Sequence, residues 1–440
     1  MLKLLLLGRK RFEWISMSSR REYLKTVGSF AIGLAVGGIV GYSIPKPAPT
    51  PVVKKPITLG SLPDRTGFLA NYGYWHDRGV NAAVKYINEV EGGVDGRPVV
   101  IVSDDAASDV TIATRKLRKL VTEEGAIAIF PSHSGAIGIA AAPILKDELK
   151  VPYFYNGYTY PVLLQKCRYI IQWHGSVRSL AYAFREHIPK MGKKWAIPYI
   201  DYAFGWALRD YFKAALKDLG YGEVVSEIAI PVGTTDFYPY ISKIPKDVDA
   251  IWWSIVGLSE VIGAAKALRE LGYTQPALAD LGMFQGVDLK AMLPLIEGFW
   301  LHNVYPQYKS DYETPYLEKL RNLVDRDEFG ADKFNPKNYD INAANLAWEE
   351  VFACVDAIRA TGATSVKDMP EVIKWLEGRT LKESQHYVGG DIYIRAEDHH
   401  AFRCSYFWEV KDGKLVFRGK LPPSAMEFKP PEIDYTKIPF

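Results

Sequence analysis

From Ile57 onward the chain alternates short apolar runs with longer amphipathic ones. Ile57 to Ser61, Val99 to Ser103, Ala126 to Phe130, Trp195 to Ile200, Val224 to Ile230, Ala250 to Ser254 and Pro276 to Ala279 read as strands. They are short, uniformly apolar and bounded by turn residues. Between and after them, Tyr74 to Val90, Val110 to Glu123, Trp206 to Leu219, Ser259 to Leu271, Ile341 to Thr361 and Met369 to Glu377 carry helical patterns. Strands alternating with covering helices predict an α/β chain whose parallel sheets are buried on both faces. The unit runs to Pro152-Tyr153-Phe154 and begins again at Trp195, so two doubly wound lobes, joined near His174 to Ser176, are the simplest architecture. The two last helices return to the first lobe.

Composition supports two ordinary cores, because 440 residues at 48% hydrophobic and 13% aromatic content can bury them. The net charge of +3 misleads, since residues 1–56 hold 10 Lys/Arg against 2 Asp/Glu, leaving 44 against 49 for the rest. A mildly acidic folded region predicts no nucleic-acid partner. Cys167, Cys354 and Cys404 are too far apart for a zinc motif and allow one disulfide at most.

Arg20-Arg21 stands before an uncharged run, Val27 to Ile44, that holds five glycines. Paired arginines before a Gly-rich, modestly apolar segment predict a twin-arginine export signal or an N-terminal membrane anchor over 1–44. The run of 18 residues is near the lower limit for a bilayer core of about 30 Å. Either reading puts the folded region outside the cytoplasm, and Met17 is an alternative start. Residues 45–56 are a Pro-rich spacer that can form neither helix nor interior strand.

The strand ends carry turn and hydroxyl residues, as in Pro131-Ser132-His133-Ser134-Gly135. No G-x-x-x-x-G-K-[ST], G-x-S-x-G, H-E-x-x-H or C-x-x-C occurs. The pattern predicts a protein that holds a small molecule and does no chemistry on it, with no metal and no cofactor. Asp104-Asp105 is no metal pair, because adjacent strand residues point to opposite faces. His399-His400 reads as a solvated turn, and His174 as an interlobe side chain. An enzyme using Asp104, His133 or His174 and a tethered sensor are the rival classes.

Thr66-Gly67-Phe68-Leu69-Ala70-Asn71-Tyr72-Gly73, Gly92-Gly93-Val94-Asp95-Gly96-Arg97, Asp104-Asp105, Ser134-Gly135, Val151-Pro152, Asp201-Tyr202-Ala203-Phe204-Gly205, and His399-His400 with Lys411-Asp412-Gly413-Lys414 resemble the solute-binding proteins of branched-chain amino acid ABC transporters. The resemblance implies a type I periplasmic binding protein fold, two α/β lobes joined by three crossing strands. It divides the chain into 57–176 with 303–385 as the first lobe and 177–302 with 386–440 as the second. It implies a monomer that closes over a small carboxylate ligand and delivers it to permease and ATPase subunits.

Helix N-termini and nearby hydroxyls bind carboxylates, and ligands of open α/β sheets lie beyond the carboxyl ends of strands. Ser132 and Ser134, before a helix, and Gly157, Tyr158 and Thr159, after a strand, are therefore the candidate carboxylate site. Capping is the structural alternative for the serines. By the resemblance, Thr159 falls on a ligand-binding hydroxyl, Tyr72, Tyr202 and Phe204 on aromatic walls, and Asp280 near the acid that takes an ammonium group. Leu281 stands where that acid is usual. A branched-chain or other hydrophobic amino acid is the first expectation, and an aromatic carboxylate or small amide the next.

Overall fold

The computed structural model describes residues 54–440, which form one compact unit. The expected signal or anchor and most of the Pro-rich spacer lie outside the described residues. Five parallel strands make the first sheet in the order β2-β1-β3-β4-β5, with β1 Ile57–Leu62, β2 Val99–Ser103, β3 Ile129–Pro131, β4 Tyr153–Tyr155 and β5 Ile170–Gln172. Helices α1 (Ala70–Glu89), α2 (Val110–Thr122) and α3 (Gly135–Ile144) connect the first four strands. Leu59 and Leu62 of β1 are fully buried, as a strand covered on both faces requires.

The chain leaves β5 through Gly175 and α4 (Val177–Ala183) for a seven-stranded sheet. Its parallel strands are ordered β7-β6-β8-β9-β10, from β6 Lys194–Ile200, β7 Glu223–Ile230, β8 Ala250–Trp252, β9 Ala277–Asp280 and β10 Phe299–Asn303, with α5 (Ala203–Leu219) and α6 (Leu258–Glu270) as connections. After β10 come α7 (Pro315–Leu323), α8 (Ala343–Thr361) and α9 (Met369–Leu376). A small antiparallel sheet follows, β11 Thr380–Leu381, β12 Ile392–Ile394 and β13 Ala401–Arg403, and then a hairpin of β14 Ser405–Lys411 and β15 Lys414–Leu421. β14 pairs antiparallel with β10 and so completes the second sheet. Asp412 and Gly413 turn the hairpin with φ of 53° and 66°, the left-handed pair that matches strand twist.

Two features of the first helix differ from the sequence pattern for identifiable reasons. α1 begins at Ala70, four residues before the expected Tyr74, and takes Gly73 into its first turn. A Cβ at Gly73 would lie 1.8 Å from the Asp64 carbonyl oxygen, so this glycine serves close packing on the exit from β1. Gly79 does the same further along the helix, where a Cβ would lie 2.3 Å from the Ala344 oxygen of α8. α8 is laid along α1.

Two further expectations are corrected. His399 and His400 are 1% and 0% exposed and no solvated turn. His399 Nε2 lies 2.8 Å from a Glu377 carboxylate oxygen, and His400 Nε2 is 2.8 Å from the Ser176 hydroxyl. Nor does the chain beyond β15 stay with the second sheet, although 386–440 is assigned whole to that lobe by resemblance. The Tyr435 hydroxyl donates to the Leu163 carbonyl, and Phe428 and Phe440 pack edge-on against Tyr160 and Tyr169, at 5.4 and 5.5 Å between ring centres. These rings cover the β4–β5 connection, whose apolar surface would otherwise face water.

Candidate functional site

In both sheets the winding direction reverses once, between β1 and β3 in the first and between β6 and β8 in the second. Open α/β sheets bind ligands beyond the carboxyl ends of strands at such points. Segments leaving those strands here line one cavity of about 390 Å³, its mouth included.

The first lobe supplies Leu69 and Tyr72 from the start of α1, His133 after β3, Asn156, Gly157 and Tyr158 after β4, and His174 after β5. The second supplies Tyr202 and Phe204 at the start of α5, Val256 after β8, and Asp280, Gly282 and Met283 at the end of β9. The two sides touch directly. The Tyr72 hydroxyl donates to the Gly282 carbonyl at 2.7 Å, and the Tyr158 hydroxyl donates to Asp280 Oδ2 at 2.9 Å. Phe68 meets Tyr202 edge-on at 5.8 Å. Four aromatic rings, Tyr72, Tyr158, Tyr202 and Phe204, therefore enclose the space.

Its polar groups are held in defined states. His174 packs against Tyr158 with 4.0 Å between ring centres and the planes tilted by 33°. Its Nδ1 donates to the Asn156 carbonyl at 2.9 Å, which leaves Nε2 to accept from the Asn342 amide at 3.2 Å. Burial pushes His174 well below the ordinary histidine range, and the neighbouring His133 adds to the shift. His133 lies 4.9 Å from the Tyr72 ring, and burial brings it down to about 3. Both are neutral at pH 7. Burial, with Asp280 adding to it, raises the Tyr72 and Tyr158 hydroxyls above their ordinary range, so both remain donors.

Six of the nine residues singled out from the sequence, Tyr72, Gly157, Tyr158, Tyr202, Phe204 and Asp280, line this cavity. Ser132, Ser134 and Thr159 do not. The Ser132 hydroxyl donates to Asp64 Oδ2 at 2.5 Å, and Ser134 Oγ caps α3 by accepting from the Ile137 N–H at 3.4 Å. Thr159 is 1% exposed and has no partner for its hydroxyl. It packs against the start of α3, where a Cβ on Gly135 would be 2.2 Å from Thr159 Oγ1. The two serine hydroxyls are thus spent on the loop behind the cavity, while that of Thr159 is left without a bond.

Asp280 also departs from expectation. It is 0% exposed, and besides Tyr158 it accepts from the Gly282 N–H at 2.8 Å and faces His302 Nδ1 at 2.9 Å. Its carboxylate is thus committed to the protein. His133 and His174, acid–base or interlobe candidates from the sequence, are cavity walls as well. Asn156, Val256, Gly282 and Met283 carry no motif, and their places follow from strand ends alone. The other tempting group, Asp104 with Asp105, binds Lys116 and the Arg65–Thr66 turn. All three cysteines are buried and unpaired.

Comparison with known proteins agrees with this geometry. The family model described as periplasmic binding protein matches residues 56–414. An amino acid binding protein of Pseudomonas aeruginosa is 25% identical over 360 residues, which are 80% of this chain and 88% of that protein. Among solved structures, a solute-binding protein of an ABC transporter from Rhodopseudomonas palustris, in complex with p-hydroxybenzoic acid, superposes with a TM-score of 0.71 at 20% identity, covering 84% of this chain and 98% of that one. A leucine-binding protein of Thermotoga maritima gives 0.67 at 20% identity, covering 84% and 99%. These likenesses establish the type I fold of two α/β lobes that the sequence motifs imply. The chain belongs to the periplasmic binding protein family, the extracytoplasmic solute-binding proteins of ABC transporters, which carry their solutes and do not transform them.

Proposed function

We propose that this protein captures a small aromatic carboxylate without an α-amino group and presents it to an ABC permease with its ATPase subunits. The observation that carries the reading is the state of Asp280. An amino acid needs an acid free to pair with its ammonium group, and the Asp280 carboxylate is taken by Tyr158, Gly282 and His302. The four surrounding rings suit a flat apolar body, whose burial is favourable at about 25 cal/mol per Å². Its carboxylate would lie toward His133, which lines the cavity and whose buried Nε2 has no partner in the protein. The Rhodopseudomonas palustris neighbour holds a ligand of this class. In the same reading the protein acts as a monomer, and residues 1–44 supply the export signal or anchor.

A branched-chain or other hydrophobic amino acid is the second reading, favoured by the Pseudomonas aeruginosa relative, which spans most of this chain. Thermal unfolding against a panel of benzoates, phenylalkanoates, small amides, leucine, valine and phenylalanine separates the two. A ligand at about 100 times its Kd stabilises the fold by about 2.7 kcal/mol. A raised midpoint with the acids and none with the amino acids is expected. A rise with leucine or valine alone establishes the second reading instead.

A further inference from the structure

We propose that Tyr158, Asp280 and His302 form a relay that sets specificity by excluding solutes with an α-ammonium group, an inference that rests on the aromatic-carboxylate reading above. The relay starts at the cavity wall and runs inward. The Tyr158 hydroxyl donates to Asp280 Oδ2 at 2.9 Å, His302 Nδ1 is 2.9 Å from the same oxygen, and His302 Nε2 is 3.1 Å from the Ser405 hydroxyl on β14. A carboxylate oxygen accepts, so His302 donates to it through Nδ1–H. Asp280 Oδ1 takes the Gly282 N–H at 2.8 Å. Each carboxylate oxygen thus has a donor, as a residue 0% exposed demands.

Asp280 is 0% exposed, so an ammonium group can reach this carboxylate only by moving a group that covers it. His302 and the Gly282 amide lie in the wall of the second lobe, and Tyr158 comes from the first. Tyr158 is thus the donor to be displaced, and it is not free to swing. Its ring packs against His174, which is itself fixed between the Asn156 carbonyl and the Asn342 amide. Displacement would leave a buried hydroxyl without a partner, a costly state. A carboxylate ligand without an amine leaves every bond of the relay in place. The acid is therefore retained beside the cavity while the three hydrogen bonds it accepts, from Tyr158, His302 and Gly282, all come from the protein.

The test is calorimetric titration of two matched pairs, 3-phenylpropanoate with phenylalanine and 4-methylpentanoate with leucine, into the wild type, Tyr158→Phe and Tyr158→Phe/Asp280→Asn. The wild type should favour the acid lacking the amine at least tenfold in each pair. Tyr158→Phe removes the competing donor, so the ratio should shift at least tenfold toward the amino acid, and Asp280→Asn added to it should abolish the gain. A wild type that takes the amino acids as tightly as their partners overturns the relay, as does a Tyr158→Phe ratio that does not move. Should the wild type bind none of the four compounds, the ligand reading fails separately. The relay is then upheld by any amino-acid binding gained in Tyr158→Phe and overturned by none.

Discussion

Tyr72 and Gly282 meet across the cavity, where the Tyr72 hydroxyl donates to the Gly282 carbonyl at 2.7 Å and so ties the first turn of α1 to the end of β9. Asn71 makes a parallel tie to the Gln285 carbonyl. Both lobes are thus held against each other by main-chain acceptors of the second, beside the residues that line the site.

Removing the first tie should weaken ligand capture more than the fold. In Tyr72→Phe the ring remains and one hydrogen bond is lost, worth about 1 kcal/mol net, or roughly fivefold in Kd. Titration of the tightest ligand from the panel should show that loss, with a urea unfolding midpoint close to wild type. Unchanged affinity would mean that closure does not depend on this contact.

His76 and Glu350 form a fully buried pair 2.9 Å apart, between α1 and α8. Burial drives Glu350 well above and His76 well below their ordinary ranges, so the pair is neutral, a carboxylic acid against an imidazole. Glu350→Gln keeps a neutral partner for His76 and should change unfolding free energy by less than about 1 kcal/mol, whereas Glu350→Leu leaves His76 unpaired and should lose about 1–3 kcal/mol. Chemical denaturation of both variants checks this. An equally large loss in Glu350→Gln would show that the pair is ionised.

Stability should fall as the medium is acidified below pH 6.5. His76, His133, His174 and His400 are buried, and burial depresses all four, His133 and His400 to about 3. The unfolded chain protonates them near pH 6.5 while the folded one does not, so the stability they contribute is present above that pH and lost as pH falls. Two acids oppose this. Asp64 is raised to about 6 and Glu350 well above its ordinary range, so each favours the folded state increasingly as pH drops toward the unfolded carboxyl range. Four such histidines against these two acids leave a net loss of stability on acidification between pH 6 and 4.5. Urea midpoints at pH 7, 6 and 5 measure it, and a flat or rising series would contradict the buried, neutral state of these histidines.

The fold was legible because strands buried on both faces leave uniformly apolar runs and their covering helices leave a 3.6-residue rhythm. Helix starts were less so, since Gly73 reads as a breaker until the Asp64 carbonyl is seen against it. The antiparallel hairpin and the return of Phe428, Tyr435 and Phe440 to the first lobe depend on contacts made hundreds of residues apart. At the site, aromatic residues at strand ends could be found from their position. Which hydroxyls face the ligand could not, because Ser132 is claimed by Asp64 and Ser134 by its own helix. Asp280 shows the same limit, since its donors Tyr158 and His302 converge on it only in three dimensions.

The most direct test of the binding site is a crystal structure of Lys54–Phe440 grown with 4-hydroxybenzoate. The expected result is the ring of the ligand among Tyr72, Tyr202 and Phe204, its carboxylate toward His133, and the Tyr158 hydroxyl still on Asp280. Ligand density elsewhere, or a bound amino acid with its ammonium on Asp280 in place of Tyr158, would contradict it.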